Sequence, residues 1–251
     1  MEPGTRRTSG RCTDTGRSDA GRARLLWRVR QRFEVVTDIH FIAGREFRFT
    51  RVIDPDVVLD QVVAEEDRRE KLSGKRRESD ELHLPYWAEL WDSALGIAQF
   101  LIQRGSVVGT KTALDLGCGM GFAGMAAAAM GYRVMLADME TEALLFAQLN
   151  VPGARTRRLD WRRDRVGEQF DLIIGADVLY DRKQWEFLEP FWRAHLASEG
   201  TVLLGEPGRQ TGDLFVDWIA ARGWKLDRFE EKVATRERAI RLFRLIPPRS
   251  V

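Results

Sequence analysis

The stretch Thr112-Ala-Leu-Asp-Leu-Gly-Cys-Gly-Met-Gly-Phe-Ala-Gly124 decides the fold class of this 251-residue chain. It begins as a short apolar run that reaches a carboxylate, Asp115, and continues as a cluster of glycines that opens an alanine-rich segment. The glycines are Gly117, Gly119, Gly121 and Gly124. Backbone without Cβ atoms lets a ligand approach closely, and the first turn of a helix offers unpaired N–H groups. The stretch therefore predicts a strand, a loop and a helix that together bind a nucleotide-type cofactor.

The identity of that cofactor depends on Asp115. The last three glycines of the loop also fit the dinucleotide pattern G-x-G-x-x-G, in which the helix start receives a pyrophosphate. A carboxylate at the mouth of the loop would repel a diphosphate, but it would attract the α-ammonium of S-adenosylmethionine. A second strand over residues 132–138 ends in Asp138, which can accept hydrogen bonds from ribose hydroxyls of either cofactor. We therefore expect S-adenosylmethionine, with a dinucleotide and a purely structural turn as alternatives.

Charge is distributed unevenly along the chain. The formal net charge is +2, but residues 1–30 hold eight arginines against three acids, which gives +5 and leaves −3 for the rest. The body is therefore not expected to bind nucleic acid. Residues 1–31 have almost no apolar side chains before Leu25, so we expect a disordered basic tail or a mis-assigned start there, with a targeting segment as the alternative.

The length of the chain and the positions of its two cysteines limit the class of protein to which it can belong. The chain is long enough for one well-filled α/β domain with small additions. No apolar run approaches the roughly 18 residues of a membrane span. Cys12 and Cys118 are badly placed to pair with each other, and no cluster of metal ligands accompanies them. These features predict a soluble cytoplasmic monomer without a membrane partner or a metal.

Residues 32–80 predict a small N-terminal unit. Alternating apolar positions on both sides of Ala43-Gly44 predict a β-hairpin over residues 33–52. Pro55 then favours a helix that runs to about Glu66, and residues 71–80 form a charged linker. The unit is either a structural cap or a lid at the substrate entrance.

Residues 81–251 predict the main domain. An amphipathic helix is expected over residues 84–101, with Trp87 and Trp91 one turn apart. Strand and helix patterns then alternate from residue 112 to residue 222, which predicts a parallel sheet with helices on both faces. Two strand patterns over residues 224–231 and 238–245 predict an antiparallel pair at the sheet edge. We expect a Rossmann-like α/β sheet of seven strands with the last one reversed.

These elements resemble the seven-strand class of S-adenosylmethionine-dependent methyltransferases over residues 33–246. More narrowly, they resemble its protein lysine methyltransferase family, which carries an acid-x-x-Tyr/Phe motif after the fourth strand. The motif here is Asp177-Val-Leu-Tyr180. Residues 90–101 are similar to the family's tryptophan-containing helix, and Glu206-Pro-Gly-Arg209 to its turn after the fifth strand. The hairpin and Pro85-Tyr-Trp-Ala88 are similar to the subfamily that acts on the electron transfer flavoprotein β subunit.

The resemblance implies ten cofactor-binding residues. These are Trp91, Asp115, Gly117, Gly119, Gly121, Asp138, Met139, Asp160, Trp161 and Ala176. Asp115 and the glycines would hold the amino-acid end, and Asp138 the ribose. Asp160 would accept the adenine amino group, and Trp161 would lie against the ring. Ordinary packing beneath the next helix is the alternative for Trp161.

The same resemblance makes Asp177 and Tyr180 the catalytic residues. The carboxylate can orient a lysine ammonium and stabilise charge on nitrogen, while the phenol walls the channel. Val178 and Leu179 stand where enzymes of planar amide or nucleobase nitrogens carry two prolines. A lysine of a protein substrate is therefore favoured, with a small-molecule amine or a non-catalytic scaffold as alternatives. Helix capping by Asp177 and core packing of Tyr180 are the structural alternatives.

Overall fold

The computed structural model describes residues 15–73 and 84–248 and contains a seven-stranded sheet of order β5-β4-β3-β6-β7-β9-β8. Its strands are β3 (Thr112–Leu116), β4 (Arg133–Asp138), β5 (Arg155–Arg158), β6 (Phe170–Ala176), β7 (Leu196–Glu206), β8 (Lys225–Glu231) and β9 (Ile240–Ile246). A separate hairpin pairs β1 (Val35–Ile42) with β2 (Arg45–Val52). The helices are α1 (Thr15–Arg30), α2 (Pro55–Ser73), α3 (Asp92–Arg104), α4 (Phe122–Ala129), α5 (Thr141–Asn150), α6 (Trp185–His195) and α7 (Gln210–Ala220). Only β9 runs antiparallel to its neighbours, so the predicted seven-strand sheet is confirmed.

Helices cover both faces of this sheet, as the alternating pattern predicts. Along β3, Ala113 belongs to one apolar core and Leu114 to the other, because successive side chains point to opposite faces. The first core lies under α3, α4 and α5 and includes Phe122. The second lies under α6 and α7 and is filled by Trp185 and Trp192, both fully buried. Burial on both faces accounts for the continuous apolar runs of the central strands.

The N-terminal hairpin is docked on the main domain through one buried amide. Asn150, at the end of α5, accepts a hydrogen bond from the backbone N–H of Thr50 at 2.8 Å and donates one back to its carbonyl at 2.8 Å. The same amide donates to the carbonyl of Met120 in the glycine loop at 2.9 Å. Phe49 packs edge-on against Phe122, with ring centroids 5.1 Å apart. The hairpin is thereby fixed to the loop that the sequence assigns to the cofactor.

The predicted disorder over residues 1–31 is wrong for Thr15–Arg30, which form α1. Leu25 and Leu26 pack against the first core, and Val29 is completely buried. Three apolar residues on one side of a helix are enough to anchor it, although the segment's average composition is strongly polar. Residues 1–14 lie outside the described residues.

The predicted helix over residues 84–101 is also wrong in its first half. Pro85 leads into a short 3₁₀ turn over Tyr86–Ala88, and α3 begins only at Asp92. Trp91 precedes α3 in an extended conformation, so Trp87 and Trp91 do not share a helix. In the other direction α2 is longer than predicted, reaching Ser73, and residues 74–83 of the linker lie outside the described residues. Within the described ranges, no helix is long and apolar enough to cross a membrane.

Candidate functional site

A cavity of about 390 Å³ opens at the carboxyl ends of the central strands, beside the switch point between the adjacent strands β3 and β6, where the strand order reverses. Open α/β sheets bind ligands at such switch points. Six residues predicted from the sequence line it: Trp91, Gly117, Trp161, Ala176, Asp177 and Tyr180. Four further lining residues were not predicted as site residues: Tyr86, Trp87, Val178 and Arg209.

The glycine loop reaches the cavity at Gly117. Its φ of +68° strains any other residue, and an added Cβ would lie 3.2 Å from Val178 and 3.5 Å from the Trp161 ring. Gly119 has a φ of +51°, and its Cβ would meet the Trp87 carbonyl at 3.5 Å. Gly121 instead faces α5, where a Cβ would meet the Ala147 backbone at 3.1 Å. Gly117 lies on the cavity wall and Gly121 serves helix packing, whereas a cofactor contact of Gly119 stays a prediction.

Asp115 lies behind the loop rather than on the cavity wall. Its Oδ2 accepts a hydrogen bond from the N–H of Gly124 at 2.8 Å, which ties β3 to α4. Its Oδ1 is buried without a partner. Burial raises the pKa of Asp115 to about 7, against the opposing effect of the Gly124 hydrogen bond. The predicted contact with a cofactor ammonium stays a prediction, for which Oδ1 is the unused acceptor.

Asp138 also supports the loop from below. Its carboxylate accepts hydrogen bonds from the N–H groups of Gly119 at 2.9 Å and Glu140 at 3.0 Å. Burial raises its pKa, and these two hydrogen bonds oppose that shift. The adjacent Met139 accepts a hydrogen bond from Arg158 through its carbonyl at 3.0 Å. Neither residue lines the cavity, so their roles toward ribose and base stay predictions.

Asp160 and Trp161, the two residues after β5 that are predicted to contact the cofactor, lie in different surroundings. The carboxylate of Asp160 pairs with Arg162 at 2.9 Å, and this hydrogen bond lowers the pKa of Asp160. Asp160 is absent from the cavity wall, so a contact with an adenine amino group stays a prediction. The Trp161 ring does line the cavity, and its indole N–H donates to Gln184 at 3.1 Å. That hydrogen bond fixes the ring as one wall of the site.

Asp177 stands at the edge of β6 in a strained conformation. Its φ is +57°, and its N–H donates to the Gly205 carbonyl at 2.9 Å. Only 7% of its side chain is exposed, and the carboxylate forms an ion pair with Arg209. Burial raises the pKa of Asp177, while Arg209 acts in the opposite direction. The next helical turn is capped by Asp181, so the capping alternative for Asp177 is wrong.

Aromatic side chains line the outer part of the cavity. Tyr180 is 48% exposed, so the alternative of simple core packing is wrong. Its ring lies 5.7 Å from Tyr86, whose ring lies 6.2 Å from Trp91. The indole N–H of Trp91 donates to the Tyr86 carbonyl at 2.8 Å, which fixes this pair. The three rings form an apolar part of the wall of the cavity that Asp177 also lines.

Arg209 is the site residue that the sequence analysis did not assign. It follows β7 in a turn held by Glu206, whose Oε2 accepts from the N–H groups of Gly208 and Arg209 at 3.0 Å each. Its guanidinium lies 5.8 Å from the centre of the Trp91 ring. The only sequence signal was the position of Glu206-Pro-Gly-Arg209 directly after a predicted strand end.

The sequence model of a family described as "Lysine methyltransferase" matches residues 80–218, more than half of the chain. The chain belongs to this family. Its matched range contains the glycine loop and both residues of the Asp177-x-x-Tyr180 motif, so the family resemblance based on them is confirmed.

Two curated relatives named as lysine methyltransferases each match about half of the chain. The electron transfer flavoprotein beta subunit lysine methyltransferase of Xenopus laevis is 34% identical over 131 residues, covering 50% of this chain and 53% of the relative. Protein N-lysine methyltransferase METTL21A of Xenopus tropicalis is 29% identical over 128 residues, covering 47% and 58%. The chain thus spans about half the length of the curated relatives it matches.

A solved structure shows the same fold. The glycopeptide N-methyltransferase MtfA, complexed with S-adenosyl-L-homocysteine, superposes with a TM-score of 0.52. The superposition covers 61% of this chain and 89% of MtfA at 14% sequence identity. At that identity, the likeness establishes the methyltransferase fold alone.

Proposed function

We propose that the chain is an S-adenosylmethionine-dependent protein lysine methyltransferase. One observation carries the proposal. Gly117, whose backbone lets a ligand approach closely, and the buried carboxylate of Asp177 line the same cavity. Membership of the lysine methyltransferase family agrees with this chemistry. Both of the relatives described above are named as protein lysine methyltransferases.

The chain's own groups fit the cofactor. Gly117 lines the cavity without a Cβ, and the Trp161 ring beside it offers an aromatic face to the same cavity. The unpartnered Oδ1 of Asp115 is an acceptor for an ammonium. When bound, S-adenosylmethionine supplies a methyl group already activated by its sulfonium. The protein then has to align a neutral amine with that carbon and exclude water.

The acceptor end of the cavity suits a lysine side chain. An aliphatic chain can lie along the rings of Tyr86, Trp91 and Tyr180 on the cavity wall, and these rings also favour a cation at its tip. Asp177 then meets the ammonium and orients its nitrogen while the proton passes to solvent, so that the carboxylate stays ionised. As positive charge returns to nitrogen during transfer, the same carboxylate stabilises it.

The experiment is to incubate the purified full chain with methyl-labelled S-adenosylmethionine and a proteome, then to hydrolyse the labelled protein. We expect label in methyllysine, and roughly 10²–10³ times less of it with the Asp177→Asn variant. Label confined to the low-mass fraction would support methylation of a small-molecule amine instead. Binding of S-adenosylhomocysteine without transfer to either fraction would support a scaffold.

A further inference from the structure

The position assigned to the acceptor ammonium is already occupied by a cation of the same chain. The guanidinium of Arg209 forms an ion pair with the Asp177 carboxylate. The arginine side chain is 37% exposed, whereas that of Asp177 is 7% exposed. The guanidinium of Arg209 can therefore move into solvent, whereas the Asp177 carboxylate stays buried. The ion pair engages Oδ1 of Asp177, so an incoming lysine that binds this oxygen replaces Arg209 there.

The backbone that carries Arg209 is held in place, so the exchange involves its side chain alone. Arg241 donates to the Arg209 carbonyl at 2.9 Å, and Arg236 donates to the Pro207 carbonyl at 2.8 Å. Glu206 binds the N–H of Arg209 at 3.0 Å from the other side. The guanidinium is thus presented at the cavity mouth from a fixed turn, which is how a selective contact is built.

The charges around Asp177 are balanced before the acceptor enters. Three carboxylates, Asp177, Glu206 and Asp213, lie beside three guanidinium groups, Arg209, Arg236 and Arg241. An acceptor ammonium adds one positive charge and takes the partner of Arg209. A released guanidinium beside other cations costs free energy unless a new anion meets it.

We propose that Arg209 determines acceptor specificity: it occupies Asp177 until the substrate arrives, then pairs with a carboxylate next to the target lysine. This proposal rests on the proposed function and narrows its substrate class to a lysine with a neighbouring acidic side chain. A bare amine exchanges one ion pair for another and leaves Arg209 without a partner. An acid-bearing acceptor replaces one ion pair with two.

The test compares the parent with Arg209→Gln on two kinds of acceptor. One is Nα-acetyl-lysine methylamide, and the other is a set of single-lysine peptides that carry Asp or Asn at each of the three positions on either side. We expect the parent to show kcat/KM about tenfold higher for the best Asp peptide than for its Asn counterpart. Arg209→Gln should lose that preference and turn over the bare amide several-fold faster. The control is Arg222→Gln, because Arg222 is similarly exposed and pairs with Glu186 away from the cavity.

Several results would overturn the proposal. They are equal kcat/KM for Asp and Asn peptides in the parent, an Asp preference that survives in Arg209→Gln, or loss of S-adenosylhomocysteine binding in that variant. Where only intact proteins accept methyl groups, the methylated lysines of a lysate are identified by mass spectrometry for both enzymes. Arg209→Gln should then lose the acid-flanked sites, and an unchanged set contradicts the proposal. Absence of any methyllysine with the parent instead contradicts the proposed function itself.

Discussion

Two buried aspartates stand at the ends of neighbouring parallel strands, but they differ in their partners and in their access to the cavity. Asp115 of β3 lies behind the glycine loop and accepts a hydrogen bond from the Gly124 N–H, and within the described part of the chain no cation pairs with it. Asp177, directly after β6, faces the cavity and is paired with Arg209. The same residue type at the same sheet edge therefore supports loop geometry in one place and faces the cavity, where we propose acceptor chemistry, in the other. Side-chain direction, set by the local backbone, makes the difference.

The largest expected effect comes from neutralising the cavity-facing aspartate. Asp177→Asn keeps the side-chain volume, and asparagine tolerates the positive φ at this position better than alanine does. Methyl transfer should fall by roughly 10²–10³, comparable to the loss of one transition-state donor. Single-turnover transfer to methyllysine measures the loss.

Cofactor affinity decides how that loss is interpreted. The Asp177→Asn variant should bind S-adenosylhomocysteine as the parent does in calorimetry, because the carboxylate is assigned to the acceptor. Turnover near the parent value would mean that the charge is not used. Weakened ligand binding would place Asp177 in the cofactor site, and the contrast with Asp115 would disappear.

Alanine substitutions at two glycines test whether the glycine loop forms part of the cofactor site. Gly117 and Gly105 both have positive φ, at +68° and +81°, but a Cβ on Gly105 meets nothing within 4 Å. Each Gly→Ala variant should lose about 1 kcal/mol of unfolding free energy. Only Gly117→Ala should also weaken S-adenosylhomocysteine binding, by about 10- to 100-fold, because its methyl group enters the cavity. Equal affinities for the two variants in calorimetry would remove Gly117 from the site.

The pH dependence of stability tests the buried aspartate. Its folded-state pKa of about 7 lies above the unfolded value of 3.8, so folding favours the protonated form. Stability from this group is present below pH 3.8 and is lost as pH rises through 7. Asp115→Asn should therefore gain stability relative to the parent between pH 4 and 7, by about 1–2 kcal/mol. Urea unfolding at several pH values checks the sign; a difference that shrinks as pH rises would contradict it.

The smallest expected effect comes from changing Trp161, whose ring forms part of the cavity wall. Trp161→Phe keeps a ring at the cavity but removes the hydrogen bond to Gln184. We expect S-adenosylhomocysteine affinity to fall about two- to fivefold, since one hydrogen bond contributes about 0.5–1.5 kcal/mol. Trp27→Phe on α1, a highly exposed tryptophan outside the cavity wall, is the control and should bind normally. Unchanged affinity in Trp161→Phe would mean that the hydrogen bond from Trp161 to Gln184 does not contribute to ligand binding.

The sequence was sufficient for the sheet and for the location of the cavity. Periodicity reports burial, and glycines report where backbone needs positive φ, so the strand–loop–helix unit at residues 112–124 could be predicted directly. Strand ends then converge at one edge of a parallel sheet, which brought Gly117, Trp161 and Asp177 together as expected.

Other features depend on three-dimensional packing that no local pattern contains. Val29 is fully buried although the surrounding composition is that of a polar tail, because α5 offers α1 a partner surface. Trp87 and Trp91 have helical spacing, but the turn after Pro85 sends them to different places. Arg209 entered the site because the turn after β7 folds toward β6, 32 residues away in the chain. A lone arginine in a polar loop gives no sign of that.

The amide of Asn150 has a practical consequence for dissecting the protein. A chain cut back to the family-matched residues 80–218 would keep the bond to Met120 but lose both bonds to Thr50. A buried amide left partly unsatisfied costs about 1–3 kcal/mol, and the Phe122 face under the hairpin would meet water. The smallest fragment suitable for studying methyl transfer therefore starts upstream of the hairpin, well outside the boundary that sequence similarity draws.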